Sequence, residues 1–217
     1  MAAKTQPVPS ADPEKLRRRR ALRHAASNLA VAAMFLLTLA PGAHDYGSRP
    51  ANLIWMAGAL AMAVLTLIRV APVAALLTPQ AIAATAGMTL LPALMRPLAN
   101  SGGTFAVAGM LLMLAGTVVS QTARLFLGRR FALMPANRGI VRGGPYRYVR
   151  HPVYAGWLIL AAGYVLTYPA LRNAAVALLA VPFMAWRTVL EERLLGQDAD
   201  YRAYCAEVRF RLLPGVF

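Results

Sequence analysis

Cysteine is nearly absent from this chain: Cys205 stands alone in 217 residues. A single thiol excludes an internal disulfide. Acidic residues are scarce too, with eight Asp and Glu against 23 Lys and Arg, and no metal site is expected. Charged residues make up only 14% of the chain and hydrophobic ones 59%. Soluble domains carry about 25% charged residues, so this is not soluble composition. Strands are not indicated, because the apolar runs lack period-2 alternation. No strand followed by a Gly-x-Gly turn and a helix is present either, which excludes the common nucleotide-binding plan.

What the chain does have is apolar runs. A membrane-spanning helix needs about 20 apolar residues, and six candidates lie near 24–41, 51–69, 78–95, 104–127, 153–168 and 170–190. The fold class expected is all-α and polytopic. The last two runs, joined at Pro169, predict a helical hairpin. Thr78 is placed to cap the third run and Pro79 to occupy its first helical position, although Pro72 and Pro79 also allow a kinked extension of the second. Gly109, Ala115 and Gly116 have the small size of helix-contact positions.

The net charge of +15 belongs to this topology rather than to nucleic acid. The arginines cluster at the ends of apolar runs, with no element set up to read a groove. With the N-terminus inside, six spans leave only Arg49, Arg96 and Arg172 of the 23 basic residues outside. The reverse orientation puts the other 20 there, so the positive-inside rule predicts cytoplasmic N- and C-termini. Residues 1–23, with Arg17 to Arg20, read as a flexible basic cytosolic arm. Residues 24–100 read as N-terminal spans. Residues 101–217 read as a functional core, with a loop at 138–156 and a tail at 191–217.

That loop holds the densest polar and aromatic cluster: Gly143-Gly144-Pro145-Tyr146-Arg147-Tyr148-Val149-Arg150-His151-Pro152-Val153-Tyr154-Ala155-Gly156. Pro152 suits the first position of a helix and keeps His151 in the loop. The helix N–H groups that follow favour an anion there. Further on, Arg187 and Glu191 are four apart and share a helical face. Base before acid is the weaker order for a plain intrahelical pair, which leaves room for a ligand role. In the tail, Tyr201, Tyr204 and Val208 share one face, as in an amphipathic helix on the bilayer or packed under the loop.

The ordered set Gly144-x-Tyr146, Arg150-His151-Pro152-x-Tyr154-x-Gly156, Arg187-x-x-x-Glu191-Glu192-x-x-Leu195, Tyr201-x-x-Tyr204-x-x-x-Val208 and Arg211-Leu212-Leu213-Pro214 resembles the isoprenylcysteine carboxyl methyltransferase family. The resemblance covers about the last third of the chain. It implies an integral-membrane enzyme using S-adenosylmethionine, bound on the cytosolic side by the loop and the C-terminal helices. Residue by residue it implies a cofactor pocket of Arg138, Gly139, Ile140, Val141, Tyr146, His151, Pro152, Val153, Tyr154 and Glu191. Arg187 is implied as the catalytic residue that holds the substrate. The expected acceptor is lipophilic, first of all the carboxylate of a prenylated cysteine, reached from the membrane lipids. A small thiol and a phospholipid amine stay open as acceptors. So do a sterol-reductase-like enzyme with a nicotinamide cofactor and a non-enzymatic membrane scaffold or transporter component.

Overall fold

The computed structural model describes residues 13–37, 50–97 and 105–215. Among these it is a helical bundle: α1 (Pro13–Leu37), α2 (Pro50–Leu67), α3 (Pro79–Leu90), α4 (Ala106–Leu127), α5 (Pro152–Thr167), α6 (Leu171–Leu195) and α7 (Ala199–Glu207). Each of the six apolar runs holds a helix. Two helical stretches, Ala106–Arg130 and Leu171–Leu195, are long and apolar enough to cross a membrane. Both show lipid-like exterior faces, with Leu111, Leu114, Val118, Leu178 and Leu179 exposed. At 1.5 Å per residue, the 16 residues of α5 rise about 24 Å, short of the ~30 Å hydrocarbon core.

Several expectations change. Helix α1 begins at Pro13, so residues 13–23 continue a helix rather than form a flexible arm. The expected end of the first run at Pro41-Gly42 and the expected start of the fourth at 104 lie outside the described residues. Among the described residues there is one strand pair: β1 (Ala74–Ala75) runs antiparallel to β2 (Ala136–Asn137). Two residues per strand give no alternation to read. The pair settles the stretch around Pro72, because α2 ends at Leu67 and an extended segment follows. Thr78 then caps α3 by accepting from the Ala81 N–H at 3.3 Å, with Pro79 at the first position.

The helices pair as α1 with α2, α3 with α6 and α4 with α5. Helices α5 and α6 are linked directly, but the hairpin they form is not the main contact of α5, which lies on α4. Glycines explain that choice. An added Cβ on Gly116 would sit 2.6 Å from the Gly156 carbonyl oxygen, and one on Gly163 would sit 2.6 Å from the Gly109 carbonyl oxygen. Small residues let backbones approach this closely. Gly109 and Gly116 were therefore correctly placed by the sequence. Ala115 is exposed and faces away, being one residue off the stripe.

Asn173, fully buried near the start of α6, ties three segments together. Its side-chain amide donates to the Arg96 carbonyl at 2.9 Å and the Tyr168 carbonyl at 3.0 Å, and its oxygen accepts from the Arg96 N–H at 3.0 Å. Buried backbone groups left without partners cost ~1–3 kcal/mol. Asn173→Ala is expected to destabilise the protein by about 2 kcal/mol, read as a lower melting temperature in detergent. An unchanged melting point would mean that these bonds are replaced by water.

Candidate functional site

The site forms where three pieces of chain meet: the loop between α4 and α5, the end of α6, and α7 with the tail. Gly144 turns the loop with φ +57°, a left-handed conformation that suits glycine, and a Cβ there would meet the Phe126 ring at 2.6 Å. Pro152 opens α5, as its missing N–H allows, and is fully buried. The Tyr154 and Ala155 amides already donate to the His151 carbonyl at 3.0 and 3.1 Å. This end of α5 is therefore less open to an anion than its sequence suggested.

The tail straps the loop from outside. The Arg150 amide donates to the Phe210 carbonyl at 2.9 Å, and the His151 amide to the Arg211 carbonyl at 2.8 Å. Helix α7 packs Tyr201 and Tyr204 against Tyr146 and Ala123, as their shared face predicted, and Val208 joins them from the extended residue just past the helix end rather than from the helix itself. The Tyr204 hydroxyl donates to the Tyr146 carbonyl at 2.8 Å.

These walls enclose a cavity of about 240 Å³, well beyond the ~30 Å³ share of a single water. Of the expected residues, Arg138, Gly139, Ile140, Val141, Tyr146, His151, Val153, Tyr154, Arg187 and Glu191 line it together. Pro152 does not; it is packed behind them as the helix start.

Glu191 is the centre of the polar wall. Its Oε2 accepts from the Tyr154 hydroxyl at 2.8 Å and from Arg187 Nη1 at 2.9 Å. Tyr154 stacks on His151 with centroids 5.5 Å apart, and the Arg187 guanidinium lies 5.3 Å from the Tyr154 ring centroid. Burial first, and then the Glu191 charge, push the Tyr146 phenol far above its ordinary range, so it stays neutral. Arg138 has its Nε and Nη1 buried with no hydrogen-bond partner. Burial, followed by the Arg69 charge, lowers its pKa to about 10, which still leaves it cationic at neutral pH.

Arg187, expected to hold the substrate, lines the cavity with its side chain tied to its surroundings. It is 3% exposed. Its Nε donates to the Leu133 carbonyl at 3.0 Å and its Nη2 to the Ala132 carbonyl at 3.2 Å and also to that of Leu133. With Glu191 on Nη1, each guanidinium nitrogen is engaged. The geometry makes it a support for Glu191 and for the 132–133 segment.

The second acid of the motif, Glu192, has no role implied by the resemblance. It gathers Arg150 Nη1 at 3.1 Å, His151 Nε2 at 3.2 Å and Arg211 Nε at 2.8 Å. It thereby joins α6, the loop and the tail. The sequence also left α2 and α3 out of the site, yet Ala59 and Met62 of α2 and Met88 and Thr89 of α3 line the cavity, as do Thr117, Gln121 and Arg124 of α4. The signal for the last three was there to read: polar residues at i, i+4 and i+7 on an apolar helix.

The phospholipid methyltransferase family model matches residues 102–198, the stretch from α4 through α6. Protein-S-isoprenylcysteine O-methyltransferase A of Arabidopsis thaliana is 33% identical over 108 residues, 46% of this chain and 55% of that protein. The match thus spans little more than half of the relative's length. Both comparisons lead to methyltransferases, and both support the isoprenylcysteine carboxyl methyltransferase resemblance seen in the motifs.

Proposed function

We propose that this chain is a multi-pass membrane methyltransferase. It transfers a methyl group from S-adenosylmethionine to a lipophilic acceptor, with the carboxylate of a prenylated cysteine as first candidate. The observation that carries this reading is a single cavity gathering loop residues 138–141, 146, 151, 153 and 154 with Arg187 and Glu191 of α6. The six helical runs and the basic-residue count support six spans with both termini in the cytoplasm.

The donor set suits the cofactor. Glu191 offers a carboxylate for an ammonium or for ribose hydroxyls, and the unpartnered Arg138 N–H groups suit a carboxylate. The stacked His151–Tyr154 pair and neutral Tyr146 offer flat faces for an adenine or a sulfonium. When bound, S-adenosylmethionine supplies a methyl group already activated on a cationic sulfur. What the chain adds is alignment, because an in-line displacement depends on holding the reacting atoms in register. Arg187 and Tyr154 hold Glu191 in one orientation. A carboxylate acceptor arrives ionised at neutral pH, so His151 can remain on Glu192 and need not act as a base.

A phospholipid amine is the second acceptor reading, favoured by the family model over residues 102–198. The two separate by product chemistry: a methyl ester releases methanol in mild alkali, whereas an N-methyl group does not.

The decisive test is calorimetric titration of S-adenosylhomocysteine into the detergent-purified protein. Saturable binding is expected, weakened about tenfold in Glu191→Ala, the loss of one charge-assisted contact of ~1.5 kcal/mol. No binding by a folded sample would overturn the methyltransferase reading.

A further inference from the structure

Helix α4 is apolar and long enough to cross a membrane, yet one of its faces is a polar ladder. Thr117, Gln121 and Arg124 follow each other at i, i+4 and i+7 and all line the cavity. Polar groups on such a helix are costly and mark function. Gln121 is partly satisfied, donating to the Gly58 carbonyl at 3.3 Å. The Thr117 hydroxyl and the Arg124 Nε are buried with no hydrogen-bond partner. A cation in the last turn of α4 suits the helix dipole, but the dipole does not account for a buried guanidinium nitrogen left without an acceptor.

Charge around the cavity points the same way. Glu191 is the one acid among its lining residues, and Arg187 already holds it. Arg150 pairs with Glu192 and Arg130 with the Ile140 carbonyl. Among the described residues, two further cations on the lining have no acidic partner: Arg138, already given to the cofactor carboxylate, and Arg124. The ladder runs beside apolar wall from three other helices, with Met62, Met88 and Trp157 on the lining. An acid-binding head, a polar shaft and a greasy flank match one kind of molecule: a single-chain amphiphile with an anionic end.

We propose that the Thr117–Gln121–Arg124 face of α4 is the acceptor subsite, with Arg124 taking the carboxylate or phosphate of the methyl acceptor. This rests on the methyltransferase reading. It also moves the anion-holding role away from Arg187, which already makes hydrogen bonds to Glu191 and to the Ala132 and Leu133 carbonyls. Thr117 hydrogen-bonds the polar group next along the acceptor, and the chain lies against Met62, Met88 and Trp157. Arg124 then discriminates acidic amphiphiles from neutral ones of the same length.

The test is photolabelling of the full chain in maltoside micelles with diazirine-bearing palmitic acid and, separately, its methyl ester. The acid is expected to label the cavity walls at least fivefold more than the ester. Arg124→Gln brings the acid down to the ester level, and Arg124→Lys, which keeps the charge, restores most of the preference. Thr117→Val lowers acid labelling and tests the ladder if Arg124→Gln does not fold. Affinity for S-adenosylhomocysteine stays within about twofold in all three variants. Equal labelling by acid and ester, or a preference unaffected by Arg124→Gln, overturns the proposal; with Arg124→Gln unfolded, acid labelling unmoved by Thr117→Val does so. Loss of S-adenosylhomocysteine affinity in Arg124→Gln assigns the anion to the cofactor and also overturns it. Failure of the wild-type protein to bind S-adenosylhomocysteine sinks the methyltransferase reading instead, and acid-selective labelling distinguishes that case.

Discussion

Glu192→Gln is expected to weaken S-adenosylhomocysteine binding by about a hundredfold while leaving most of the helical structure in place. The Glu192 side chain is 11% exposed, and its partners Arg150 and His151 are 12% and 7% exposed. Removing one member of a buried ionic group leaves its partners uncompensated, at a cost of ~3–5 kcal/mol. Arg211 is 37% exposed, so solvent screens its share and it adds little. Taking the low end, ~3 kcal/mol is about two powers of ten in the equilibrium that keeps loop and tail closed. The affected contacts are local. Glutamine keeps the size of the side chain, and α4, α5 and α6 do not depend on this charge for their packing. The signature is therefore a large loss of affinity with a small shift in melting temperature. Arg211→Gln serves as the screened control, with a several-fold effect at most. Equal affinity of Glu192→Gln and wild type would show that the tail strap, with its backbone bonds to Arg150 and His151, closes the loop without the ionic group.

The polar residues of the site were legible because their chemistry is out of place in a greasy chain. An Arg-His-Pro-x-Tyr cluster and a Glu-Glu pair stand out wherever apolar runs end, and Pro152 announces its own helix. What was not legible is which of these groups are already engaged with one another. Arg187 looked available because its only visible neighbour in sequence was Glu191. Its other acceptors are the Ala132 and Leu133 carbonyls, which no side-chain pattern reveals. The same limit hid the part played by α2 and α3. Met62, Met88 and Thr89 are ordinary residues in apolar helices, and only the way the bundle closes puts them on the cavity. Arg69 shows this from the other side. It was counted as one more cytoplasmic charge, whereas its Nε donates to Asn28 at 2.6 Å and its Nη2 to Ser27 at 2.9 Å. A charge that fits the positive-inside count can also fasten two helices.

Gly116→Val is expected to abolish the folded protein, or to leave a fraction too small for ligand binding to be measured. A single Cβ at this position would already meet the backbone of α5: the Leu160 nitrogen, the Gly156 carbonyl oxygen at 2.6 Å and the Leu160 Cα at 2.9 Å. These are main-chain atoms, with no flexible side-chain end that can move aside. The helices must part along a seam that also includes Gly109, Gly156 and Gly163. Overpacking in ordinary cores costs ~1–3 kcal/mol, and a clash between two backbones exceeds the upper part of that range. Total stabilities are only ~5–15 kcal/mol, and valine adds two methyl groups beyond the clashing Cβ, so the combined overlap with the α5 backbone reaches the lower part of that range. The seam also sets the site, because Ser120 on α4 donates to the Val153 carbonyl at 3.1 Å and Tyr154 follows on the next residue. Ala115→Val makes the control, since it adds the same β-branched side chain to the same helix at an exposed position. Surface changes of this kind usually stay within about 0.5 kcal/mol. If Gly116→Val and Ala115→Val elute and melt alike, α4 and α5 are not packed through their glycines. Parallel loss of fold in both would instead assign the effect to helix propensity.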